Sequence, residues 1–510
     1  MICQIMVAQE SVIYSPDSTH FSVGILEENQ KTGNWKFYKI TGELLYEGGF
    51  EKGKKNGSWI YYDENGIVTR EITYQRGIVE GKYREYYNSK RLKSKGQFKD
   101  SVKVEVWKYY FGNGTIQSEG EYISGHKNGI WITYYKNGIM ETKSRYKNGL
   151  RNGPYKKYDD LGVLMISSNY KEDLENGPWL EYFENGIIAL EAYYKKGKKD
   201  SIWTEYYTGG GKLSVTSYQE NLPQGEWEFF HGKGSLIKLE EYDQGIPHGW
   251  WKDYYSNQDL KKSVLFIRGL EDSTYLEYHQ SGLQSVIGKY HKGQKEGVWK
   301  NFYENGKLYS TGKYENDLME GNWKFFYTTG QLEMEGSYRQ NLQHGQWFFY
   351  HFKGQLRDIG GMINGKKDGL WGTFHANGQL RQEETWTRGK LLKLGEFFSP
   401  SGNTLPKGDF ADGEGSRISY YSNGIIDSKG SYKNGLPHGP WQLYHDNGQL
   451  ASEGELKTGL KDGTWIYYHK NGNRESEGKF ENDKEVGIWY YYNKRGKMIE
   501  EVNYKKGKLK

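Results

Sequence analysis

The chain repeats itself every 24 residues. Counted from Trp35, an aromatic residue returns at each step through Trp371, and after a slip of two residues near Gly395 and Arg417 the period resumes at Trp441. This gives twenty repeats, and 15 of the 17 tryptophans stand at the returning position, which we call the anchor. A fixed period of this size predicts a repeat architecture rather than several globular domains in the 510 residues.

The anchor residues are predicted to be structural. The tryptophans among them are Trp35, Trp59, Trp107, Trp131, Trp179, Trp203, Trp227, Trp251, Trp299, Trp323, Trp347, Trp371, Trp441, Trp465 and Trp489. Tyr83, Tyr155 and Tyr275 take the same position in three further repeats.

Each repeat reads as a β-hairpin. Counted from the anchor, an aromatic residue stands at +3 in every repeat, and a glycine usually stands at +7, often after asparagine as in Asn65-Gly66. Asn-Gly favours a two-residue turn because both residues tolerate a positive φ. That turn would place the anchor opposite the glycine common at +13, so that the indole covers bare backbone. Alternation would put the +3 aromatic on the opposite face unless a bulge changes the parity.

The rest of the repeat and the composition agree with strands. Glycines near +18 and +22 predict a loop that returns the chain to the next hairpin. Aromatic residues make up 16% of the chain and only 35% is hydrophobic, so stability must come from stacked neighbours rather than a thick core. We predict an all-β fold: an elongated array of about twenty 24-residue β-hairpins that forms a continuous twisted antiparallel sheet or solenoid.

The same period divides the chain into segments. Residues 1–10 are a possible clipped signal peptide or a tail, 11–34 an N-terminal capping half repeat, and 35–394 repeats 1–15. Residues 395–416 form an irregular repeat or joint, rich in Pro, Gly and Ser, where we expect a bend or a loosened connection; 417–510 hold repeats 17–20. If the N-terminus is a clipped signal, the protein is secreted, periplasmic or in the cell envelope; otherwise it is cytoplasmic.

The repeated unit Gly-x-Trp-x-x-Tyr-Tyr-x-Asn-Gly, followed by an apolar residue, a glycine, an aromatic and a closing glycine, resembles the MORN repeat variant of the YwqK-type antitoxin family. The resemblance covers about Gly24 to Lys510. It implies a bacterial, non-catalytic hairpin array that contacts other proteins and, in some settings, membrane surfaces. For YwqK-type proteins it implies neutralisation of a partner toxin.

The residues offer little for catalysis or metal binding. Six of the twelve histidines stand at +4 (His231, His279, His351, His375, His445 and His469), where equivalent positions are about 10 Å apart. Ligands of one zinc ion must lie much closer together, so we interpret these histidines as half-exposed aromatics at strand ends. The stretch "TGGGKLS" (208–214) lacks the order of a phosphate-binding loop. The sequence therefore predicts no enzyme, no metal site and no cofactor.

A binding role is the remaining expectation. The charge balance is mild, at +5, although lysines cluster in the return loops, as at 51–57 and 194–200, and predict a locally basic edge. We expect another protein as the partner, a toxin or an envelope component; the alternative is a membrane surface met by basic loops and exposed aromatics, and nucleic acid is disfavoured. Because regular positions are explained by folding, partner specificity is expected at irregular ones: Lys90, Gln258, Trp386 and Arg417.

Overall fold

The computed structural model describes residues 10–505 and 507–509. These residues form strands and turns, and no helix among them could cross a membrane. Residues 1–9, which carry Cys3 and most of the possible signal peptide, lie outside the described part of the chain. By its internal contacts the chain divides into two structural units, one reaching Gly249 with Ser256–Gln258 and the other comprising Trp250–Tyr255 and Asp259–Lys510.

In the first structural unit the strands pair antiparallel in sequence order, except that the short strands β19 and β22 pair only with the strand before them, so that β18 also pairs with β20 and β21 with β23. The strands are β1 (Glu10–Tyr14), β2 (His20–Glu27), β3 (Gln30–Lys39), β4 (Leu44–Glu51), β5 (Lys54–Tyr62), β6 (Val68–Gln75), β7 (Ile78–Tyr86), β8 (Leu92–Lys99), β9 (Val102–Tyr110), β10 (Ile116–Ile123), β11 (His126–Tyr134), β12 (Met140–Lys147), β13 (Leu150–Tyr158), β14 (Leu164–Lys171), β15 (Leu174–Tyr182), β16 (Ile188–Lys195), β17 (Lys198–Tyr206), β18 (Lys212–Gln219), β19 (Leu222–Pro223), β20 (Gly225–Phe230), β21 (Leu236–Asp243) and β22 (Ile246–Pro247).

The remaining strands continue the same pattern, and β37–β45 form a sheet of their own. They are β23 (Gly249–Tyr254), β24 (Leu260–Ile267), β25 (Leu270–Tyr278), β26 (Gln284–His291), β27 (Gln294–Phe302), β28 (Leu308–Glu315), β29 (Leu318–Phe326), β30 (Leu332–Arg339), β31 (Leu342–Tyr350), β32 (Leu356–Ile363), β33 (Lys366–Phe374), β34 (Leu380–Thr387), β35 (Lys390–Phe398), β36 (Thr404–Leu405), β37 (Gly415–Tyr420), β38 (Ile426–Lys433), β39 (Leu436–Tyr444), β40 (Leu450–Lys457), β41 (Leu460–Tyr468), β42 (Arg474–Glu481), β43 (Lys484–Tyr492), β44 (Met498–Lys505) and β45 (Lys508–Leu509).

The predicted all-β array of 24-residue hairpins is confirmed. The first turn of each repeat, which joins its two strands, differs from the prediction. Asp63 N–H bonds Ile67 O and Gly66 N–H bonds Asp63 O, which leaves three residues in the loop. Only Gly66, at φ 72°, is left-handed there, while Asn65 is not. The loop is thus a type I turn with a glycine bulge rather than a two-residue Asn-Gly turn. The anchor still pairs with +13, as Trp35 does with Gly48.

The predicted return loop is instead a second hairpin. Glu51 pairs directly with Lys54, and the two residues between them, Lys52 and Gly53, both have a positive φ, of 50° and 74°. The +22 glycine is not part of this turn. Gly57, at φ 82°, lies inside β5 where the register with β4 shifts, so it serves a β-bulge.

The two faces of the sheet differ in what they bury. Most anchor tryptophans are almost fully buried, Trp59 and Trp347 at 0% exposure, and they share their face with the aromatics at +15, such as Tyr74. We call this the tryptophan face. Cross-strand pairing places +1, +12 and +3 on the other side, which we call the polar face; Tyr62 at +3 bonds Glu47 there. The +3 aromatic therefore does point away from the anchor.

Candidate binding surface

Each tryptophan interlocks with the preceding hairpin. In eleven repeats a β-carbon on the glycine eleven residues earlier would come within 2.0–2.4 Å of the indole. The pairs are Gly24/Trp35, Gly48/Trp59, Gly96/Trp107, Gly120/Trp131, Gly288/Trp299, Gly312/Trp323, Gly336/Trp347, Gly360/Trp371, Gly430/Trp441, Gly454/Trp465 and Gly478/Trp489. An indole does cover the +13 glycine, as the sequence predicted. It belongs to the anchor of the next repeat and not to the anchor of the repeat that contains the glycine.

The indole nitrogen secures the same link. Trp59 Nε1 donates to Gly49 O at 3.0 Å and Trp347 Nε1 to Ser337 O at 3.1 Å, in both cases ten residues back. Gly49 lies where the ladder between β4 and β5 shifts register. The indole therefore satisfies a carbonyl at a bulge, where the regular ladder is interrupted.

Wherever the preceding +13 residue is glycine the anchor is tryptophan, but tryptophan also follows larger residues at Trp179, Trp203, Trp227 and Trp251. All three tyrosine anchors come after a side chain in place of glycine: Tyr83 after Ile72, Tyr155 after Ser144 and Tyr275 after Val264. Trp179 follows Ser168, and its Nε1 turns to Glu181 Oε1 at 2.9 Å. The smaller Ala192 still permits the carbonyl bond of Trp203, at 3.2 Å.

Many of the lysines assigned to the return loops are not free. Eight of them lie four residues before an anchor and place Nζ 3.9–4.7 Å from its ring centroid: Lys31, Lys55, Lys103, Lys127, Lys199, Lys295, Lys367 and Lys461. Burial lowers the pKa of Lys31, Lys55 and Lys127 below the ordinary lysine value. These ammonium groups cover the tryptophans through cation–π contacts and do not add to a basic edge.

The +3 tyrosines link repeats across the polar face. Their hydroxyls donate to the glutamate fifteen residues earlier at 2.6–3.1 Å, in the pairs Tyr62–Glu47, Tyr86–Glu71, Tyr134–Glu119, Tyr206–Glu191, Tyr350–Glu335, Tyr468–Glu453 and Tyr492–Glu477. Burial and the bond to Glu47 raise the pKa of Tyr62 to about 12.

The +4 residues form a third link, and this revises the interpretation of the histidines. Tyr327 OH donates to Tyr350 O at 2.8 Å, and His351 Nε2 lies 3.1 Å from Phe374 O, in each case 23 residues on. His279, His375, His445 and His469 take the same position against the next repeat. His231 does not; its Nδ1 faces Lys233 N. Five of the six histidines thus bond a backbone carbonyl of the next repeat and are not merely half-exposed aromatic residues at strand ends.

The asparagine of the first turn is a fourth link. Its side-chain nitrogen donates to the carbonyl 23 residues on at 2.7–3.1 Å, from Asn113, Asn137, Asn185, Asn305, Asn377, Asn423, Asn447 and Asn471. Asparagine therefore recurs for this contact, since it does not need the left-handed conformation that the sequence suggested.

The polar face also carries rows of side chains that vary from repeat to repeat, apart from the glutamates that bond the +3 tyrosines. In the first structural unit one cross-strand row contains Lys36, Glu47, Ile60, Glu71, Arg84, Lys95, Lys108, Glu119, Ile132, Lys143, Lys156, Ser167, Leu180 and Glu191. In the second, a row contains Leu276, Ile287, Lys300, Thr311, Lys324, Glu335, Phe348 and Ile359. Exposed apolar residues flank the first row, with Val106 at 54% and Ile130 at 53%.

The four irregular positions lie in two kinds of place. Lys90 and Gln258 take the turn-glycine position and keep its left-handed backbone, at φ 64° and 73°. Trp386 and Arg417 lie at the irregular repeat, where they share one carboxylate, Glu384. The structure does not bring the four positions together into one site.

At the irregular repeat the sheet is interrupted, because β36 and β37 belong to different sheets, and residues of this repeat and its neighbours form a packed core. Leu391, Leu394, Phe410 and Tyr432 form a buried cluster to which Trp386 and Trp441 add. Beside it Glu384, with 5% of its side chain exposed, meets Arg417 Nη2 at 2.5 Å and Lys367 Nζ at 3.5 Å. Burial disfavours the charged carboxyl, but Arg417 and Lys367 outweigh that effect and hold the pKa of Glu384 below its usual value.

The described residues contain no group of three or more His, Cys, Asp and Glu side chains placed to hold a metal ion. The stretch 208–214, which lacks the order of a phosphate-binding loop, forms the turn between the two strands of its repeat, with Gly210 N–H bonded to Tyr207 O. The depression on the tryptophan face around Tyr109 and Thr133 has a volume of about 610 Å³ and is wide open.

The fold and its links define a class: a β-hairpin repeat protein in which each repeat is tied to the next by fixed side chains. The chain belongs to the MORN repeat variant family, which matches twelve segments that together span more than half of it. These are residues 55–76, 79–100, 106–124, 127–148, 175–196, 295–316, 319–340, 367–387, 413–434, 437–457, 461–482 and 485–506.

Other comparisons add little. No curated protein matches. Among solved structures, the chain is similar to one described as TcdB2-TccC3-Cdc42 (11% identity, 96% of this chain and 31% of that chain, TM-score 0.13) and to the Photorhabdus luminescens Tc holotoxin pore with TccC3-D651A (11%, 96% and 26%, TM-score 0.14). The chain thus spans about a third or less of the length of these structures, and superpositions this poor carry no argument about function.

Proposed function

We propose that this protein is a non-catalytic scaffold that binds another protein through the polar face. One observation carries the proposal: the recurring Trp, Tyr, His, Asn and Lys side chains bond neighbouring repeats, whereas the polar-face row, apart from the glutamates that bond the +3 tyrosines, changes from repeat to repeat. Side chains needed for folding recur in an array like this one, so the varying row is available for specificity. Exposed apolar residues beside charges, such as Val106 near Lys95 and Lys108, suit a protein interface.

The family supports binding in general, since its repeats mediate protein and membrane-lipid contacts. The finer proposal is that the bound protein is a toxin, neutralised as in the YwqK-type proteins that the repeat resembles, or an envelope component. A membrane surface is the second candidate. It is favoured by exposed second-turn lysines, such as Lys52, Lys54 and Lys196, that the tryptophans do not engage.

Site-specific photo-crosslinking tests the proposal. A crosslinking amino acid replaces either Ile202, 62% exposed on the polar face, or Glu205, exposed on the tryptophan face of the same strand β17. In cells of the source organism, a discrete protein adduct is expected from position 202 and not from position 205. Equal adducts from both positions, or none from either, contradict a polar-face interface. Release from vesicles on charge reversal of Lys52, Lys54 and Lys196 would favour the membrane.

A further inference from the structure

A glutamate recurs at +12 on the polar face, but in two repeats of the first structural unit a lysine takes its place and faces other cations. These are Lys95, between Arg84 and Lys108, and Lys143, opposite Lys156. Where the glutamate is present, as at Glu71, it accepts from Arg84 Nη1 at 3.2 Å and from Tyr86 OH at 3.1 Å, both in the following repeat. Three repeats later Lys143 stands in the place of Glu71, Lys156 in that of Arg84 and Tyr158 in that of Tyr86. The two lysines are direct cross-strand partners on β12 and β13.

These cations have no anionic partner within the described part of the chain. No ion pair or side-chain hydrogen bond there involves Lys143, Lys156 or the neighbouring Arg145, and all three side chains are exposed. Like charges placed directly opposite each other on a sheet are destabilising. The fold therefore carries an unfavourable arrangement here that a bound anion would relieve.

The cations surround a shallow depression that could receive such an anion. It has a volume of about 320 Å³, and Ile130, Lys143, Arg145, Pro154, Lys156 and Tyr158 line it. Ile130 is 53% exposed, so the site combines positive charge with an apolar border. Along the row the cationic stretch is short, because Glu119 lies beyond Ile132 on one side and Ser167 and Leu180 follow on the other.

We propose that this surface docks an acidic segment of a protein partner, with a carboxylate held between Lys156 and Tyr158. The inference rests on the proposed scaffold function and specifies the partner's chemistry. A carboxylate is favoured because the equivalent donors, Arg84 and Tyr86, hold the carboxylate of Glu71. The apolar border suits the alternate side chains of an extended peptide, and the site lies on a strand face, away from the turn lysines that a membrane would meet first.

Fluorescence anisotropy with the full chain tests the proposal. The probe is a labelled twelve-residue peptide of alternating Glu and Val, and the control peptide has Gln for Glu. The variant Lys143→Glu places a glutamate at the position that Glu71 occupies three repeats earlier. We expect it to weaken binding of the acidic peptide by about tenfold or more while the unfolding midpoint stays the same or rises. Tyr158→Phe should weaken binding with little effect on folding.

Lys95→Glu is the matched control. Lys95 also lies between two cations, Arg84 and Lys108, but these already pair with Glu71 and Glu119. Its reversal should change the affinity by no more than about twofold, as expected for an exposed charge outside the contact. Equal losses from the two reversals would reduce the effect to net charge and overturn the site, as would equal binding of the Gln peptide.

Two further arms separate the sources of negative charge. The choice of a protein carboxylate would be overturned if inorganic phosphate displaced the peptide at an equal concentration of negative charge. It would also be overturned if phosphatidylserine vesicles bound the wild type but not Lys143→Glu. The crosslinking from Ile202 is independent of this site. An adduct there with no peptide binding here would therefore reject this inference and leave the scaffold function standing.

Discussion

The indole of Trp347 occupies the space that a side chain at Gly336 would need. A β-carbon on Gly336 would lie 2.3 Å from the ring, and the indole nitrogen bonds Ser337 O at 3.1 Å. The contact joins two consecutive hairpins. Glycine and tryptophan therefore recur together, because the indole of each repeat packs against the glycine of the repeat before it.

Gly336→Ala is expected to destabilise the protein by about 1–3 kcal/mol, because the indole must shift within a closely packed site. Chemical denaturation measures the loss. Gly209→Ala is the matched control, since Gly209 has no atom near its β-carbon position and no left-handed backbone, and it should have little effect. The double variant Gly336→Ser with Trp347→Tyr reproduces the natural pair Ser144/Tyr155 and should recover part of the loss. If the loss of unfolding free energy in the double variant equals the sum of the losses in Gly336→Ser and Trp347→Tyr alone, the two positions are independent.

Trp323→Ala should cost more than Trp489→Ala, with about 3–5 kcal/mol expected at the interior position. Trp323 covers Gly312 and contacts aromatic rings on both flanking strands, Tyr314 on β28 and Tyr338 on β30. Trp489 anchors the last of the twenty repeats, whereas Trp323 has repeats on both sides, so a local loss at Trp489 spreads less far. Denaturation monitored by hydrogen exchange measures both. Negligible effects at both positions would mean that the anchors do not hold the array together.

His351→Phe should destabilise the protein by about 1 kcal/mol, because it removes the donor to Phe374 O while keeping an aromatic ring. His351→Tyr should be nearly neutral, since Tyr327 makes the same bond to Tyr350 O one repeat earlier. Thermal unfolding compares the two variants. If phenylalanine were tolerated as well as tyrosine, the contact would be packing alone.

The sequence predicted the repeat, the hairpins and the pairing of Trp35 with Gly48, because period and alternation follow directly from strand geometry. Alternation also favoured a +3 aromatic that faces away from the anchor, but the sequence left open a bulge that would reverse it. It did not predict the contacts between repeats. A glycine eleven residues before a tryptophan, or a tyrosine fifteen residues after a glutamate, is visible as a pattern, but the pattern does not state which hairpin contacts which.

The sequence placed the two-residue turn at Asn-Gly, whereas the structure places it between consecutive repeats. Here too a contact between repeats, which the pattern does not state, decides the role of the asparagine. Asn-Gly suits a two-residue turn, yet the asparagine is used for a bond to the next repeat, and the two-residue turn falls at Lys52-Gly53 instead. The break between the two sheets falls at the irregular repeat, where the sequence predicted a joint, but its Pro, Gly and Ser content did not indicate the packed core beside it. Burial of Leu391 and Phe410 depends on tertiary packing that local composition does not reveal.

The buried carboxylate at the irregular repeat gives the last prediction. Glu384→Gln should destabilise the protein by about 3–5 kcal/mol, because Arg417 is left buried without its partner. Glu119→Gln is the matched control: Glu119 also pairs with a lysine, Lys108, but is more exposed, and its loss should cost about 1 kcal/mol or less. Chemical denaturation at neutral pH compares them.

The pH dependence of the same variants separates charge from packing. The pKa of Glu384 is lower in the folded protein than its usual value, so its contribution to stability is fully present above the glutamate pKa of the unfolded chain, about 4.3. That contribution is lost as the pH falls through the folded pKa. The wild type should therefore lose its advantage over Glu384→Gln on acidification below about pH 5. A difference between the two that stays constant from neutral to acidic pH would assign the role of Glu384 to shape and not to its charge.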